Sequence, residues 1–175
     1  DGDFSLKALV NRINADLAND YGNLCQRVLS FIQKHAGGCV PHPHAMNPVD
    51  QDLLECADHT LETARSYMAE QALHKYCEGV WKIVTQANKY IDTQQPWALR
   101  KTDQERMQTV LYVLVEIIRK ISILAQPIIP LAAAKALHFV GVSPNKRDFS
   151  SLSKPLLPGT LLPSPEGLFP RVEEI

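Results

Sequence analysis

Residues 102–124 read TDQERMQTVLYVLVEIIRKISIL, and this stretch decides the fold. Val110, Leu111, Val113, Leu114, Ile117, Ile118, Ile121 and Leu124 cover most of a helical circumference. A helix apolar nearly all round must be buried on nearly all sides, so it predicts the central helix of a bundle. Thr102 with Glu105 three residues on predicts a capping box at its start. Pro127 and Pro130 end it, since a proline interrupts the helical hydrogen bonds.

Working toward the N-terminus, residues 95–97 (Gln95-Pro96-Trp97) close an earlier helix, because the residue before a proline avoids helical dihedrals. That third helix is predicted from about Glu70 to Gln94, with Leu73, Tyr76, Cys77, Val80, Trp81, Val84 and Ala87 facing inward. The second starts at Asn47-Pro48, asparagine as cap and proline at the first helical position. Its stripe is Leu53, Leu54, Ala57, Leu61, Ala64 and Met68. Residues 37–47 (GGCVPHPHAMN) form a loop. The first helix is predicted to open at Phe4-Ser5, with Ser5 as cap, and to carry Leu9, Val10, Ile13, Leu17, Leu24, Val28, Phe31 and Ile32 inward. Asn14, Asp16, Asn19 and Asp20 are capping types and predict a break there.

Toward the C-terminus, a shorter helix is predicted from Leu131 to Val140, closed by Gly141. The expectation is an all-α antiparallel bundle of about five helices over residues 1–142. Residues 143–175 are rich in proline and are expected to form an extended tail laid back on the bundle, anchored by Leu156, Leu161, Leu168 and Phe169.

Composition supports this class. Hydrophobic residues make up 45% of the 175 and charged residues 21%, enough for one compact core. The net charge is −1, whereas a generic nucleic-acid binder is basic. Any contact with nucleic acid should then be local and base-directed, without DNA as a partner. Cys25, Cys39, Cys56 and Cys77 are scattered and are expected to stay reduced in a cytoplasmic protein. No apolar stretch is long enough to span a membrane. A chain that begins at Asp1 is expected to be a fragment or a processed product.

Reaction centres are not identifiable. Cys39, His42 and His44 share a loop near His35, but no Cys-x-x-Cys accompanies them, so no metal is expected. No nucleophile elbow and no phosphate-cradling glycine loop occur. Two binding features do stand out. Asn23 and Arg27 lie four residues apart on one helical face. They are either a solvated surface or an amide and a guanidinium fork matched to the edge of an unpaired base. Trp97 follows Pro96 at a helix end. It is either a core side chain or an exposed plane on which a base stacks.

Residues 14–24 (NADLANDYGNL) leading to Arg27 resemble the helix that opens the anticodon domain of the methionyl-tRNA synthetase family. Residues 87–92 (ANKYID) and then Gln95-Pro96-Trp97 resemble the same family's second signature, and residues 168–173 (LFPRVE) resemble its terminal tail. A glycine-asparagine with a nearby arginine is shared with related class I synthetases, while the other two segments are sharper. Two alternatives remain: the anticodon domain of such a relative, or a non-enzymatic helical interaction bundle.

The resemblance implies a bundle that receives the CAU anticodon of methionine tRNA. Trp97 would stack on the first anticodon base, cytosine, while Asn23 and Arg27 hold and read it. Asp92 and Pro96 would shape the same pocket. Arg12, Lys89, Arg100 and Lys101 are candidate phosphate contacts. The family's His-Ile-Gly-His and Lys-Met-Ser-Lys-Ser signatures do not occur. The resemblance therefore places ATP, with magnesium, in a catalytic domain outside this chain, and implies that the chain alone is inactive and needs no cofactor.

Overall fold

A computed structural model describes residues 2–165, with the side chains of residues 2–20 described in part. The helices are α1 (Gly2–His35), α2 (Pro48–Ala69), α3 (Leu73–Gln94), α4 (Pro96–Thr102), α5 (Gln104–Ala125) and α6 (Pro130–Phe139). Two 3-10 turns follow, Pro144–Lys146 and Phe149–Ser153. The five expected helices are present, and the short α4 is an addition to them.

Helix α5 is the axis of the bundle. Every residue from 109 to 125 is buried, polar ones included. Such residues are tolerated inside only when their hydrogen bonds are met. Arg119 grips Glu116 through Nε at 3.1 Å and Nη2 at 2.9 Å, Lys120 meets Asp58, and Ser122 meets Tyr21. Around them lie Leu111, Leu114, Ile117, Ile118 and Ile121, all fully enclosed. Truncating one such side chain to alanine costs about 2–5 kcal/mol.

Cross-links between helices show their directions. Asp50 meets Arg106 and Asp58 meets Lys120, so α2 and α5 run the same way. Gln94 meets Arg106 while the Tyr76 hydroxyl donates to the Leu124 carbonyl, so α3 runs opposite to α5. Tyr21 meets Ser122, and the His44 amide, beyond the end of α1, donates to Thr109 at 2.9 Å. Helix α1 therefore also opposes α5, and α1, α2, α3 and α5 alternate up and down.

Several sequence expectations change. Helix α1 is one continuous helix from Gly2, so Ser5 is not its cap and no break falls at Asn14 to Asp20. Asp16, Asn19 and Asp20 are exposed, where their weak helix propensity costs only tenths of a kcal/mol each. Helix α3 starts at Leu73, because Gln71 adopts a left-handed φ of 56° and breaks the chain direction. Leu73 is consequently exposed. The cap of α5 is Asp103, whose carboxylate accepts from the Arg106 amide at 3.0 Å. Thr102 belongs to the end of α4, and its hydroxyl turns back to the Ala98 carbonyl at 3.4 Å.

The tail begins with the two 3-10 turns and then extends. Val40 and Thr160 pair through a bond of 2.8 Å, as do Gly159 and Val40, and the Leu162 amide donates to the Gly38 carbonyl at 2.9 Å. Adjacent side chains in extended backbone point to opposite sides. Leu162 therefore enters the core while Leu161, 74% exposed, does not serve as the expected anchor. Leu156 is buried. Leu168 and Phe169 lie outside the described residues, as do the side chains of Leu9, Val10, Ile13 and Leu17.

Candidate functional site

Two polar stripes face each other across α1 and α3. On α1, Asp20, Asn23 and Arg27 recur at helical spacing. On α3, Thr85, Asn88 and Asp92 do the same. Together the six line an open recess of about 360 Å³. The apolar faces of the same helices, carrying Leu24, Val28, Val84 and Ile91, are buried beneath. The core contacts thus set the rotation of each helix, and the rotation places the polar stripes side by side.

Arg27 occupies the rim. Its Nη2 donates to Asp92 Oδ1 at 2.7 Å, and its guanidinium carbon stands 5.5 Å from the centre of the Trp97 ring. This distance is within the range of a cation–π contact. The arginine is 40% exposed and the aspartate 63%, so the pair is worth under about 1 kcal/mol to the fold. Its effect is to aim the guanidinium, which lies between a carboxylate and an aromatic face. Asn88 turns its amide to the Val84 carbonyl at 3.2 Å and the Asp20 carbonyl at 3.4 Å. Asn23 is exposed within the recess.

Trp97 is presented by a sharp corner. Gln95 ends α3 in a left-handed conformation, φ 47° and ψ 65°, and Pro96 starts α4. A residue with a side chain at positive φ carries a cost of about 1–2 kcal/mol, which neighbouring contacts must offset. They are at hand. Arg106 donates to Gln94 Oε1 at 2.7 Å, and its two terminal nitrogens also grip Asp50. Tyr90 donates to the same carboxylate at 2.6 Å. Asp50 is wholly buried at the start of α2. Burial alone would raise its carboxyl, but the bonds from Arg106, Tyr90 and the Asn47 amide outweigh it and hold the group below its ordinary value. Pro96 is buried, while Trp97 remains 42% exposed.

The residues singled out by sequence fall into three groups. Asn23, Arg27, Asp92 and Trp97 come together, with Pro96 fixing the corner. Arg100 and Lys101 are exposed one turn beyond Trp97 on α4. Lys89 points elsewhere, into a separate groove of about 460 Å³ between α2 and α3. The Arg12 side chain lies outside the described residues. Among the described residues no three His, Cys, Asp or Glu side chains gather as metal ligands. The His44 ring instead meets Gln108 at 3.1 Å. Cys25, Cys39, Cys56 and Cys77 are all unbridged. No helix among the described residues is long and apolar enough to cross a membrane.

Sequence reading passed over Asp20, Thr85 and Asn88. Their signal was the polar spacing on α1 and its counterpart on α3. It gains meaning only when the two helices are known to be neighbours.

Comparison with known proteins now places the chain. Residues 40–175 match the family model described as the anticodon binding domain of methionyl tRNA ligase. The chain belongs to that family. The methionine–tRNA ligase of Brucella suis is 50% identical over 175 residues, covering 99% of this chain and 34% of the relative. That of Mycobacterium tuberculosis is 45% identical over 177 residues, again covering 34% of the relative. The free form of the M. tuberculosis methionyl-tRNA synthetase superposes with a TM-score of 0.89 at 44% identity, over 97% of this chain and 35% of that one. The same enzyme in complex with methionyl-adenylate gives 0.88 at 46% identity, over 94% and 33%. The chain spans about a third of the length of the relatives it matches. These matches cover Asn23 and Arg27 as well as the later segments, since they extend over nearly the whole chain.

Proposed function

We propose that the recess and Trp97 receive the first base of the CAU anticodon of methionine tRNA. The observation that carries this reading is the placement of Arg27 between Asp92 and the Trp97 ring, at the mouth of a recess lined by amides and carboxylates. Unpaired RNA bases are recognised by stacking on aromatic planes and by hydrogen bonds to their edges. Trp97 supplies the plane. Asn23 offers a donor and an acceptor, and Arg27 an oriented donor fork. Cytosine presents one amino donor and two acceptors, a match in kind.

Local charge supports reading of a base over attraction of a phosphate. The recess holds Asp20 and Asp92 against the single cation Arg27. A phosphate entering it would meet like charge, whereas a base edge bearing N–H groups would not. Discrimination then follows from desolvation, because a wrong base leaves polar groups without partners.

In the longer polypeptide this reading assigns the domain to tRNA selection. A catalytic domain beyond these residues would use ATP with magnesium to join methionine to the tRNA, in the cytoplasm. Binding of this chain to a CAU stem-loop and to the same hairpin with UAU, at two salt concentrations, tests the reading. A preference for CAU that survives added salt supports it. Equal binding that fades with salt replaces base reading by general attraction to RNA.

A further inference from the structure

Arg27, Arg106 and Arg119 each meet a carboxylate. Arg100 does not. Its Nη1 donates to His35 Nδ1 at 2.7 Å, with Nε2 of the same ring at 3.3 Å. An imidazole can accept only at a nitrogen that carries no proton, so this bond belongs to neutral His35. The arrangement orients the guanidinium, and no carboxylate among the described residues neutralises its charge. His35 is steadied in turn by the Phe31 ring, with ring centres 4.7 Å apart.

Position matters as much as charge. Arg100 follows Trp97 by three residues on α4, so both lie on one face about 4.5 Å apart along the axis. Both are exposed. Lys101 is exposed next to Arg100 in sequence, and Lys34 is exposed next to His35. The partner of such a site is an anion beside an aromatic stacking plane, which is the chemistry of a nucleotide's own backbone.

We infer that Arg100, held in place by neutral His35, contacts the backbone phosphate of the nucleotide whose base stacks on Trp97. The inference rests on the proposed function, since it takes the ligand to be an anticodon loop. It adds a division of labour. The recess at Arg27 reads identity, while Arg100 supplies a sequence-blind anchor one helical turn away. His35 is a positioning residue that acts through Arg100.

The test is RNA binding by the full chain across a salt series. Arg100→Ala weakens CAU and UAU hairpins equally, about tenfold at low salt. It also lowers the slope of log affinity against log salt by about 0.7, the value for one single-stranded phosphate. His35→Leu retains the charge but frees the arginine, so affinity falls with the slope nearly unchanged. His35→Asn places an acceptor near the position of Nδ1 and restores binding. A neutral methylphosphonate substituted at each loop linkage in turn finds one position where wild type and Arg100→Ala bind alike. Arg100→Lys, which keeps the charge, controls for loss of fold.

An unchanged salt slope in Arg100→Ala overturns the inference, as does a loss confined to CAU. Trp97→Ala measured alongside separates the two levels. Weakening by Trp97→Ala but not by Arg100→Ala defeats only the phosphate anchor. Silence of both defeats the anticodon reading as well.

Discussion

Arg106 sets its two terminal nitrogens on the two carboxylate oxygens of Asp50, at 2.6 and 2.8 Å. The pair joins the start of α5 to the start of α2. Through Gln94 and Tyr90 it also holds the end of α3, immediately before the corner that carries Trp97. A buried pair of this kind makes its largest contribution when one partner is removed, because the other is left charged and unsatisfied.

Asp50→Asn should therefore lower stability by about 3 kcal/mol, read from urea unfolding. The pH dependence has a definite sign. The folded carboxyl sits below its ordinary value, so the unfolded chain takes up its proton first. The stabilisation is complete at neutral pH, begins to fail near the ordinary carboxyl range, and is lost as pH falls through the folded value. The acid limb of stability should be flatter in Asp50→Asn than in the wild type. An identical limb in both would remove Asp50 from the account.

Trp97→Ala should weaken binding of the CAU stem-loop by about 1–3 kcal/mol, the usual worth of one base stacked on an aromatic ring. Helical content should not change, since the indole is 42% exposed. Circular dichroism together with RNA titration checks this. Loss of the helical signal would instead make Trp97 a core residue.

Arg27→Gln should reduce the preference for CAU over UAU more than it reduces total RNA affinity. Asp92→Asn should narrow the same preference, because it releases the guanidinium from the carboxylate 2.7 Å away. It should change the free energy of unfolding by less than about 1 kcal/mol, since the pair is exposed. A large loss of stability with unchanged preference would make the pair a structural brace.

Glu116 and Arg119 clamp the tail to α5. Arg119 donates to the Ser151 and Leu152 carbonyls at 2.8 and 3.0 Å, and the Leu156 amide donates to Glu116 at 2.6 Å. Glu116→Ala leaves a buried guanidinium without its carboxylate and should cost about 3–5 kcal/mol. Hydrogen exchange at the Leu156 amide should accelerate first. Unchanged protection there would show that apolar contacts alone hold the tail.

Much of this protein was legible without coordinates, and for local reasons. The apolar circumference of residues 110–124 is a property of adjacent residues at a period of 3.6, and it marks a buried helix whatever surrounds it. Pro48, Pro96 and Gly141 punctuate helices through their own dihedral limits. Continuity of α1 through Asn14 to Asp20 was not legible, because weak local preferences yield to a long helix. Nor was the choice of Leu162 over Leu161, which depends on how the tail meets residues 38–40. Above all, Arg27 finds Asp92 and Trp97 at separations of 65 and 70 residues. Only the rotation of α1 and α3 about their axes, imposed by packing on α5, turns Asn23, Arg27, Asn88 and Asp92 toward one recess and sends Lys89 to another. The residue types were written in the chain. Their meeting was decided by the core.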